Sequence, residues 1–504
     1  GLPVPPKASA YSIHRGLWGT TWGGGWTHDS WAGPPAELLQ PPAGAPAPST
    51  LTSGPAALAA WWTRFDDPVL NGLIRRSIGA NLDLRQALLR SQESLTQRDI
   101  SAAGALPSLS VNTSYDRERI SESTPEGALL GSAGKFSVPG VGKLSIPNPY
   151  NQYQLGAAAS WELDLFGRLR RTVEAANAQL QVSVEDQHAL QVSLLARVAQ
   201  SYIALRSAQA RRAVATENLA TISGMLDLTR QRRAAGLTTE LDVRDALAQL
   251  AQTRASLPAF DLQITQSIHT LSNLLGLAPE ALRAQLTAAA PIPPVPPQVP
   301  IGLPAQLARR RPDIRAAEAS LHAATAQIGV AVADLFPRLT LAASGGFQSD
   351  AVSTLARWSS LFGSFGPSLQ VPVFDRGAWK TVHLYHLKAQ EAALSYQATV
   401  LNALQEVQDA AAAYSADQQQ RQWLADAVRQ NHLALTLAQQ RYRSGVSDFL
   451  NVLDAQRSLQ QNQLALLSAT SAVSTDLVSL YRALGGGWSE AAVPANDAAG
   501  KAGG

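Results

Sequence analysis

The chain of 504 residues contains no cysteine and only one methionine. The absence of cysteine excludes disulfide bonds and cysteine-ligated zinc from the fold. Aromatic residues make up 6% of the chain, charged residues 16%, and the net charge is +3. Because no basic segment alternates with aromatic residues, nucleic-acid binding has no support. No uninterrupted apolar run approaches the length of about 18 residues that a membrane-spanning helix needs, so the sequence predicts no such helix.

Catalytic and cofactor-binding motifs are also missing. The chain has no Ser-His-Asp arrangement, no phosphate-binding loop and no metalloprotease signature. His383 and His386 lie three positions apart, which suits metal binding on a helix, but no carboxylate–histidine arrangement accompanies them. We therefore predict no enzymatic activity, no metal and no cofactor.

An internal duplication is the clearest positive feature of the sequence. The segment that follows Gly236 recurs after Gly445, at an offset of 209 positions. The residues that match in register are Leu241 and Leu450, Val243 and Val452, Asp245 and Asp454, and Ala246 and Ala455. Upstream, residues 81–87 match residues 311–317 at an offset of 230 positions. Since solenoid repeats are only about 20–50 residues long, this period indicates two similar structural halves.

Composition and periodicity divide the chain into five segments. These are an irregular N-terminal arm (1–60), a first repeat (61–286), a proline-rich linker (287–300), a second repeat (301–485) and a flexible tail (486–504). Each repeat is predicted to contain short helices, two strands and a long helical hairpin. The predicted strands are 108–115, 153–165, 338–347 and 367–374. The first long helix, from Gly167 to Ala235, would span about 100 Å at 1.5 Å per residue.

The four strands point to an assembly of several chains. Each alternates apolar and polar residues over about ten positions, which suits a tilted strand in a membrane barrel. A membrane barrel needs at least about eight strands, so two chains would supply eight and three would supply twelve. Trp161, Tyr150, Tyr153 and Phe374 flank these strands, where they would form either an interfacial aromatic girdle or ordinary strand packing.

Several motifs resemble those of TolC-like outer-membrane efflux channels, in particular the lipoprotein branch that serves resistance–nodulation–division pumps. The similarity extends over residues 61–485 in the order of the family. The matching stretches are Trp61–Leu70, Asn81–Ala87, Trp161–Arg168, Arg310–Glu318, Phe336–Leu339, Arg441–Gly445 and Leu453–Arg457. The lipoprotein branch carries an acylated N-terminal cysteine. Because this chain contains no cysteine, the resemblance does not imply that lipid anchor.

The resemblance implies a mixed α and β membrane protein. It would be a homotrimer in which four strands per chain form a twelve-stranded outer-membrane β-barrel, continuous with a long periplasmic α-helical barrel. Its function would be that of a passive conduit in the outer membrane, exporting small molecules such as drugs. Its partners would be outer-membrane lipid, a periplasmic adaptor protein and an inner-membrane pump, with no nucleic acid. A protein-secretion conduit of the same fold and a soluble coiled-coil scaffold are the alternatives.

The same resemblance implies two sets of functional residues at the turns of the hairpins. The periplasmic gate falls on Tyr442, Arg443 and Asp454, with Asp454 near the threefold axis and with Arg233, Asp242 and Asp245 at the equivalent places in the first repeat. The contacts to the adaptor fall on Gly236, Leu237, Thr238, Gly445, Val446 and Ser447. The alternative interpretation is that the charges are solvated or cap helix ends, and that the glycines end helices in a left-handed conformation.

Overall fold

The structure is a computed structural model that describes residues 49–52, 58–121, 123–125, 128, 137–138, 142–143, 148–300 and 307–489. Most of the predicted arm and most of the predicted tail therefore lie outside the described residues. The elements follow in chain order: β1 Thr50–Thr52, a 3-10 helix Trp61–Phe65, α1 Pro68–Ala80, α2 Leu82–Ala103, β2 Ser108–Glu118, β3 Ser137–Val138, β4 Gly142–Lys143, β5 Tyr150–Leu163, α3 Arg168–Ala234, α4 Glu240–Leu274, α5 Arg283–Leu286, β6 Gln298–Pro300, α6 Leu307–Arg310, α7 Pro312–Ala333, β7 Arg338–Ser349, α8 Val352–Leu355, a 3-10 turn Trp358–Ser360, β8 Leu361–Gln370, α9 Arg376–Arg443 and α10 Phe449–Ala483.

The four long strands form one antiparallel sheet in the order β2-β5-β7-β8. Their register places odd-numbered residues opposite odd-numbered residues throughout, so one face of the sheet collects the odd positions. The odd face is apolar: Leu109, Val111, Leu155, Trp161, Leu163, Leu339, Leu341, Phe347, Leu361, Phe365 and Leu369. The even face is polar: Ser108, Ser110, Asn112, Ser114, Gln152, Gln154, Ser160, Thr340, Ser344, Ser364, Ser368 and Gln370. Such a sheet suits lipid on one side and water on the other.

This register also sorts the aromatic residues that flank the strands. Trp161 and Tyr153 lie on the apolar face, and Tyr153 packs against Tyr115 with ring centroids 4.8 Å apart. Tyr150 lies on the polar face, where its hydroxyl donates to Glu118 at 2.5 Å. The prediction of one aromatic girdle therefore does not fit Tyr150, because a single position of offset reverses the face on which a strand residue lies.

Two helical hairpins extend from the sheet. The first hairpin is α3 with α4, and the second hairpin is α9 with α10. The long helices α3 and α9 have 67 and 68 residues, so each spans about 100 Å. Near the sheet, α2 packs on α3, α3 on α7 and α7 on α9, which repeats the order of the strands above them. The predicted duplication of helix, strand pair and hairpin is thus visible in the arrangement of the elements.

The buried apolar side chains form two separate cores. The upper core joins the 3-10 helix, α1, the middle of α3 and the ends of α4 and α10; Trp61, Tyr202 and Tyr481 are among its fully buried side chains. The lower core lies towards the hairpin turns and contains Leu226, Val243 and Phe449 with neighbours from all four hairpin helices. Both cores therefore hold the two halves of the duplication together.

The last predicted strand needs a correction. It was expected at Pro367–Phe374, whereas β8 runs from Leu361 to Gln370. The pairing with β7 ends where Gln370 lies opposite Arg338. The residue before Arg338 is Pro337, which has no backbone N–H to extend the ladder. The apolar alternation continues past Gln370 in the sequence, but no described strand pairs with that segment.

The three segments predicted to lie outside the two repeats contain ordered contacts among their described residues. In the arm, β1 pairs in parallel with β6, which lies at the end of the proline-rich linker. The predicted tail begins with Gly487 and Trp488 packed on the molecule: Gly487 donates its N–H to the Leu58 carbonyl at 2.9 Å, and the Trp488 indole donates to the Arg310 carbonyl at 3.1 Å. These segments close the upper core around the end of α10.

One described helix is long and apolar enough, by length and composition, to cross a membrane: α10. Its side chains Val473, Leu477 and Tyr481 are fully buried in the upper core. A helix in the core of a protein meets the same criterion, and these contacts explain its apolar composition.

Candidate functional site at the hairpin turns

The two hairpin turns have matching backbone geometry. Gly236 and Gly445 have φ values of +72° and +77°, a left-handed conformation that favours glycine. The residue after each glycine donates its N–H back to the preceding helix, Leu237 to the Arg232 carbonyl and Val446 to the Arg441 carbonyl, both at 2.9 Å. Each long helix therefore ends in the same glycine-based cap.

The helices that leave the turns are also fixed by local contacts. Thr239 caps α4 in a reciprocal box with Asp242, and the Thr238 hydroxyl donates to the Asp242 carboxylate. At the equivalent positions of the second hairpin, the Asn451 amide donates to the Ser447 hydroxyl at 2.9 Å. Asp242 is thus occupied by helix capping, which agrees with the alternative interpretation of this residue.

Apolar side chains project from both turns into solvent. Leu237 is 66% exposed and Val446 is 68% exposed. One turn of helix further on, Leu241 and Leu450 are exposed as well, and they occupy equivalent positions of the duplication. Large exposed apolar side chains that cluster at the end of a structure indicate a contact surface. Sequence reasoning missed Leu241 and Leu450, although both appear in the repeated motif.

Arg232 connects the two hairpins near their turns. Arg232 of α3 lies over the ring of Tyr442 with its guanidinium carbon 4.6 Å from the ring centroid. The same guanidinium donates to the Tyr442 carbonyl and, at 3.2 Å, to the Arg443 carbonyl. Tyr442 is only 2% exposed, and its hydroxyl lies 3.5 Å from the Thr229 hydroxyl of α3. This contact combines cation–π attraction with charge-assisted hydrogen bonds.

The duplicated positions around this contact carry different chemistry. In the first hairpin, Arg233 and Glu240 form a solvent-accessible ion pair at 2.6 Å. Their equivalents in the second hairpin are Tyr442 and Phe449, whose ring centroids are 5.5 Å apart and which are both buried. The second turn therefore presents an aromatic surface to Arg232 where the first turn presents charges to water.

The structure brings together only some of the predicted gate residues. Tyr442 is at the inter-hairpin contact, and Arg443 contributes its backbone carbonyl while its side chain is exposed. Arg233 pairs within its own hairpin. Asp454 is exposed and Asp245 is partly exposed, and neither side chain has a hydrogen bond or ion pair within the described part of this chain. The prediction missed Arg232 and Thr229, which lie on the same side of α3 and face the second hairpin.

The described residues offer no cluster of His, Cys, Asp and Glu that could hold a metal ion. His383 and His386 are both exposed on α9. One cavity, of about 370 Å³, lies between α3, α4 and the segment after α4. Its charged residues are already paired with one another, Arg212 with Asp261 and Glu280 with both His269 and Arg283.

Comparisons with known proteins agree with this architecture. The family model described as outer membrane efflux protein matches residues 73–277 and 303–486. The outer membrane protein OprJ of Pseudomonas aeruginosa is 34% identical over 432 residues, which cover 85% of this chain and 86% of OprJ. The antibiotic efflux pump outer membrane protein ArpC of Pseudomonas putida is 33% identical over 473 residues, 92% of each chain. The solved outer-membrane channel OprN is 35% identical, covers 89% of this chain and 98% of its own, and superposes with a TM-score of 0.78.

Proposed function

The chain belongs to the outer membrane efflux protein family, and from this premise we propose that it is the outer-membrane conduit of a three-part pump. It is a channel of the outer membrane with a large periplasmic part, and it serves export. Because ArpC is named as a component of an antibiotic efflux pump, we extend small-molecule cargo of that class to this chain. The inner-membrane partner would be a pump of the resistance–nodulation–division type, reached through a periplasmic adaptor.

The two faces of the sheet carry the proposal. Eleven large apolar side chains line one face of the four strands, and hydroxyl and amide groups line the other. Lipid outside and a water-filled lumen inside require this division. A soluble coiled-coil scaffold has no use for an apolar sheet face in water, so the sheet favours the channel over that alternative.

Three chains would close this sheet and the helical layer below it. The outer strands β2 and β8 have no partner on one edge among the described strands. Below them, α9 exposes Leu387, Leu394 and Leu401 at intervals of seven residues, and α2 exposes Leu88 and Leu95 at the same interval. A seven-residue spacing of leucines is typical of a coiled-coil contact. We propose that β8 and α9 of one copy pack on β2 and α2 of the next.

The exposed apolar residues at the turns fit the adaptor. Leu237 with Leu241 and Val446 with Leu450 form two similar patches per chain. A trimer would therefore present six similar patches around its axis. We propose that these patches, with Thr238 and Ser447 beside them, bind the adaptor, while Gly236 and Gly445 supply the backbone geometry of the turns.

We propose that the contact between Arg232 and Tyr442 keeps the periplasmic end closed until the pump assembles. It is the contact nearest the turns that joins the two hairpins of one chain by a charged group. Asp454 and Asp245, which have no partner among the described residues of the chain, would then meet other copies near the axis. Breaking the arginine contact removes this charged link between the two hairpins at their turn end.

The test is the oligomer mass of detergent-purified protein, measured together with its conductance in planar bilayers. A trimer that gives small, mostly closed currents is the expected result. A monomer without conductance in lipid would contradict both the assembly and the channel. Substituting Leu237 and Val446 by Ser should weaken adaptor binding without changing the current. Trp358→Ala, in the connection between β7 and β8, should change neither.

A further inference from the structure

The polar face of the sheet carries one large side chain that is wholly apolar. In the four long strands, all of whose residues the structure describes, the even positions hold hydroxyl, amide, charged or small residues, except for Tyr150 and Phe362. Tyr150 has a hydroxyl group, which donates to Glu118, whereas Phe362 has no polar atom. Phe362 therefore departs from the division between lipid and water that the rest of the sheet follows.

The ring of Phe362 reaches across the neighbouring strand. Phe362 is paired with Gly346 of β7, and Gly346 is paired with Gly156 of β5. A Cβ atom on Gly156 would lie 3.2 Å from Phe362 Cζ, and a Cβ atom on Gly346 would overlap the Leu155 carbonyl oxygen. Two glycines thus leave the space that the ring occupies. Phe362 is only partly buried, so part of its ring remains accessible on the face that lines the proposed lumen.

A cavity of about 360 Å³ adjoins this ring. It lies at the end of the sheet opposite the hairpins, between the ends of β5, β7 and β8 and the connection from β7 to β8. A volume of a few hundred Å³, lined by an aromatic ring and a few polar groups, is typical of sites that hold small organic molecules. The even-numbered lining residues, which we call the exit site, are Tyr150, Gln152, Gln348, Asp350, Ser360 and Phe362.

The charges around the exit site are acidic. Asp350 lines the cavity directly. On the adjacent strand β2, Asp116 and Glu118 lie opposite two residues of the exit site and on the same face, whereas Arg117 between them lies on the other face. No Lys or Arg is among the described residues that line the cavity, and Arg357 of the connection lies outside the lining. Carboxylates gathered around a concave site attract cations.

We propose that the exit site binds aromatic cations as they leave the channel. The Phe362 ring contacts the aromatic part of the molecule, and the carboxylates attract its positive charge. Because a conduit must release what it carries, this binding is weak and reversible. The inference rests on the proposed export of small molecules and names the chemical class that this end of the channel favours. A trimer would place three exit sites around the axis of the barrel.

Titration of ethidium into the purified chain in lipid nanodiscs tests the exit site. Ethidium is an aromatic cation; 8-anilinonaphthalene-1-sulfonate, an aromatic anion, is the comparison, and empty nanodiscs give the background. Ethidium should bind more tightly than the anion. Phe362→Ala should raise the dissociation constant of ethidium about three- to tenfold, which is the loss expected for one aromatic contact.

Phe365→Ala is the matched control, because Phe365 lies on the same strand but on the apolar face. It should leave the dissociation constant of ethidium unchanged. Phe362→Leu keeps an apolar group over the two glycines and removes the aromatic ring, so it separates binding from support of the sheet. Asp350→Asn changes no residue of the sheet and should weaken the binding of ethidium but not that of the anion.

Two outcomes would overturn the inference. One is an equal affinity for ethidium in Phe362→Ala, Phe362→Leu and Phe365→Ala, which would leave Phe362 as a cover for the two glycines. The other is a wild-type chain that binds the anion as tightly as ethidium. The titration does not require an open channel, because the exit site lies at the end opposite the hairpins. An absence of current in the wild type would therefore contradict the proposed conduit without deciding the exit site.

Discussion

Arg232→Ala is the change that tests the gate most directly. Arg232 is half-buried, and its guanidinium contacts the Tyr442 ring and two backbone carbonyls of the second hairpin. Alanine removes all three contacts at once. It leaves the helix intact, because alanine is the best helix former and the glycine cap after α3 depends on the backbone alone. The variant should therefore fold normally and open more often.

The size of the effect follows from the contacts that are lost. A hydrogen bond from a charged group contributes about 1.5–3 kcal/mol, and an exposed cation–π contact about 0.5–1 kcal/mol. Because Arg232 is partly exposed to solvent, we reduce the sum and take about 2 kcal/mol as the free energy lost for each copy of Arg232. If one copy must open, the open probability rises about 30-fold; if three copies act together, the total of about 6 kcal/mol corresponds to about 10⁴-fold.

The assay is single-channel recording of the purified variant in planar bilayers at fixed salt. Arg233→Ala is the matched control, because the neighbouring arginine pairs with Glu240 inside the first hairpin. It should change the open probability little. A rise of less than about threefold for Arg232→Ala would fall far below the 1.5 kcal/mol minimum expected for the lost hydrogen bonds. That result, or an equal rise in the Arg233 control, would refute the assignment.

Three further predictions concern stability and assembly. Burial and the nearby Asp417 carboxyl raise the pKa of Asp476 to about 7 from 3.8, so the unfolding temperature should fall as the pH increases between these values, and Asp476→Asn should flatten that dependence in thermal unfolding. Trp488→Ala should lower the free energy of unfolding by about 2–3 kcal/mol, because the indole stacks on the His188 ring and donates to the partly buried Arg310 carbonyl; Trp358→Ala, at 83% exposure, is the control with little effect. Leu394→Glu should convert the trimer to monomers in native mass spectrometry, because it places charge in the leucine row of α9.

The acidic pair explains why the sign of the pH dependence is unusual. Asp476 Oδ2 is buried and receives no donated hydrogen bond, and the facing carboxyl belongs to Asp417. Two carboxylates that face each other in a buried site repel unless they share a proton. The folded protein therefore keeps a proton that the unfolded chain releases, and stability is lost as the pH rises towards about 7. A carboxylate that is paired with a cation usually has a lowered pKa, and its contribution to stability is lost as the pH falls.

Sequence reasoning succeeded where the signal is local. Gly236 and Gly445 end the long helices as expected, and the alternation of residues in β2 and β7 predicted strands with small errors at their ends. It failed where a distant partner decides the outcome. The end of β8 depends on Pro337 of the neighbouring strand, and no pattern within β8 contains that information.

The gate illustrates the same limit at the scale of one residue. Arg232 and Arg233 are indistinguishable in the sequence, yet neighbouring positions on a helix point about 100° apart. One of them faces Tyr442 across the hairpins, and the other pairs with Glu240 within its own hairpin. The resemblance directed attention to Arg233 because it occupies the position equivalent to Tyr442. Only the packing of α3 against the second hairpin shows that the neighbouring arginine makes the contact.

The duplication explains both the similarity and the difference between the turns. Contacts that each hairpin makes with itself have been retained: Thr238 with Asp242 has its counterpart in Ser447 with Asn451. The positions at the contact between the hairpins have diverged: Tyr442 and Phe449 form a buried aromatic pair beside Arg232, whereas their equivalents Arg233 and Glu240 form an ion pair that is accessible to water. Two identical turns would place arginine beside arginine and repel. A chain built from two copies therefore needs this divergence before its own halves can hold each other closed.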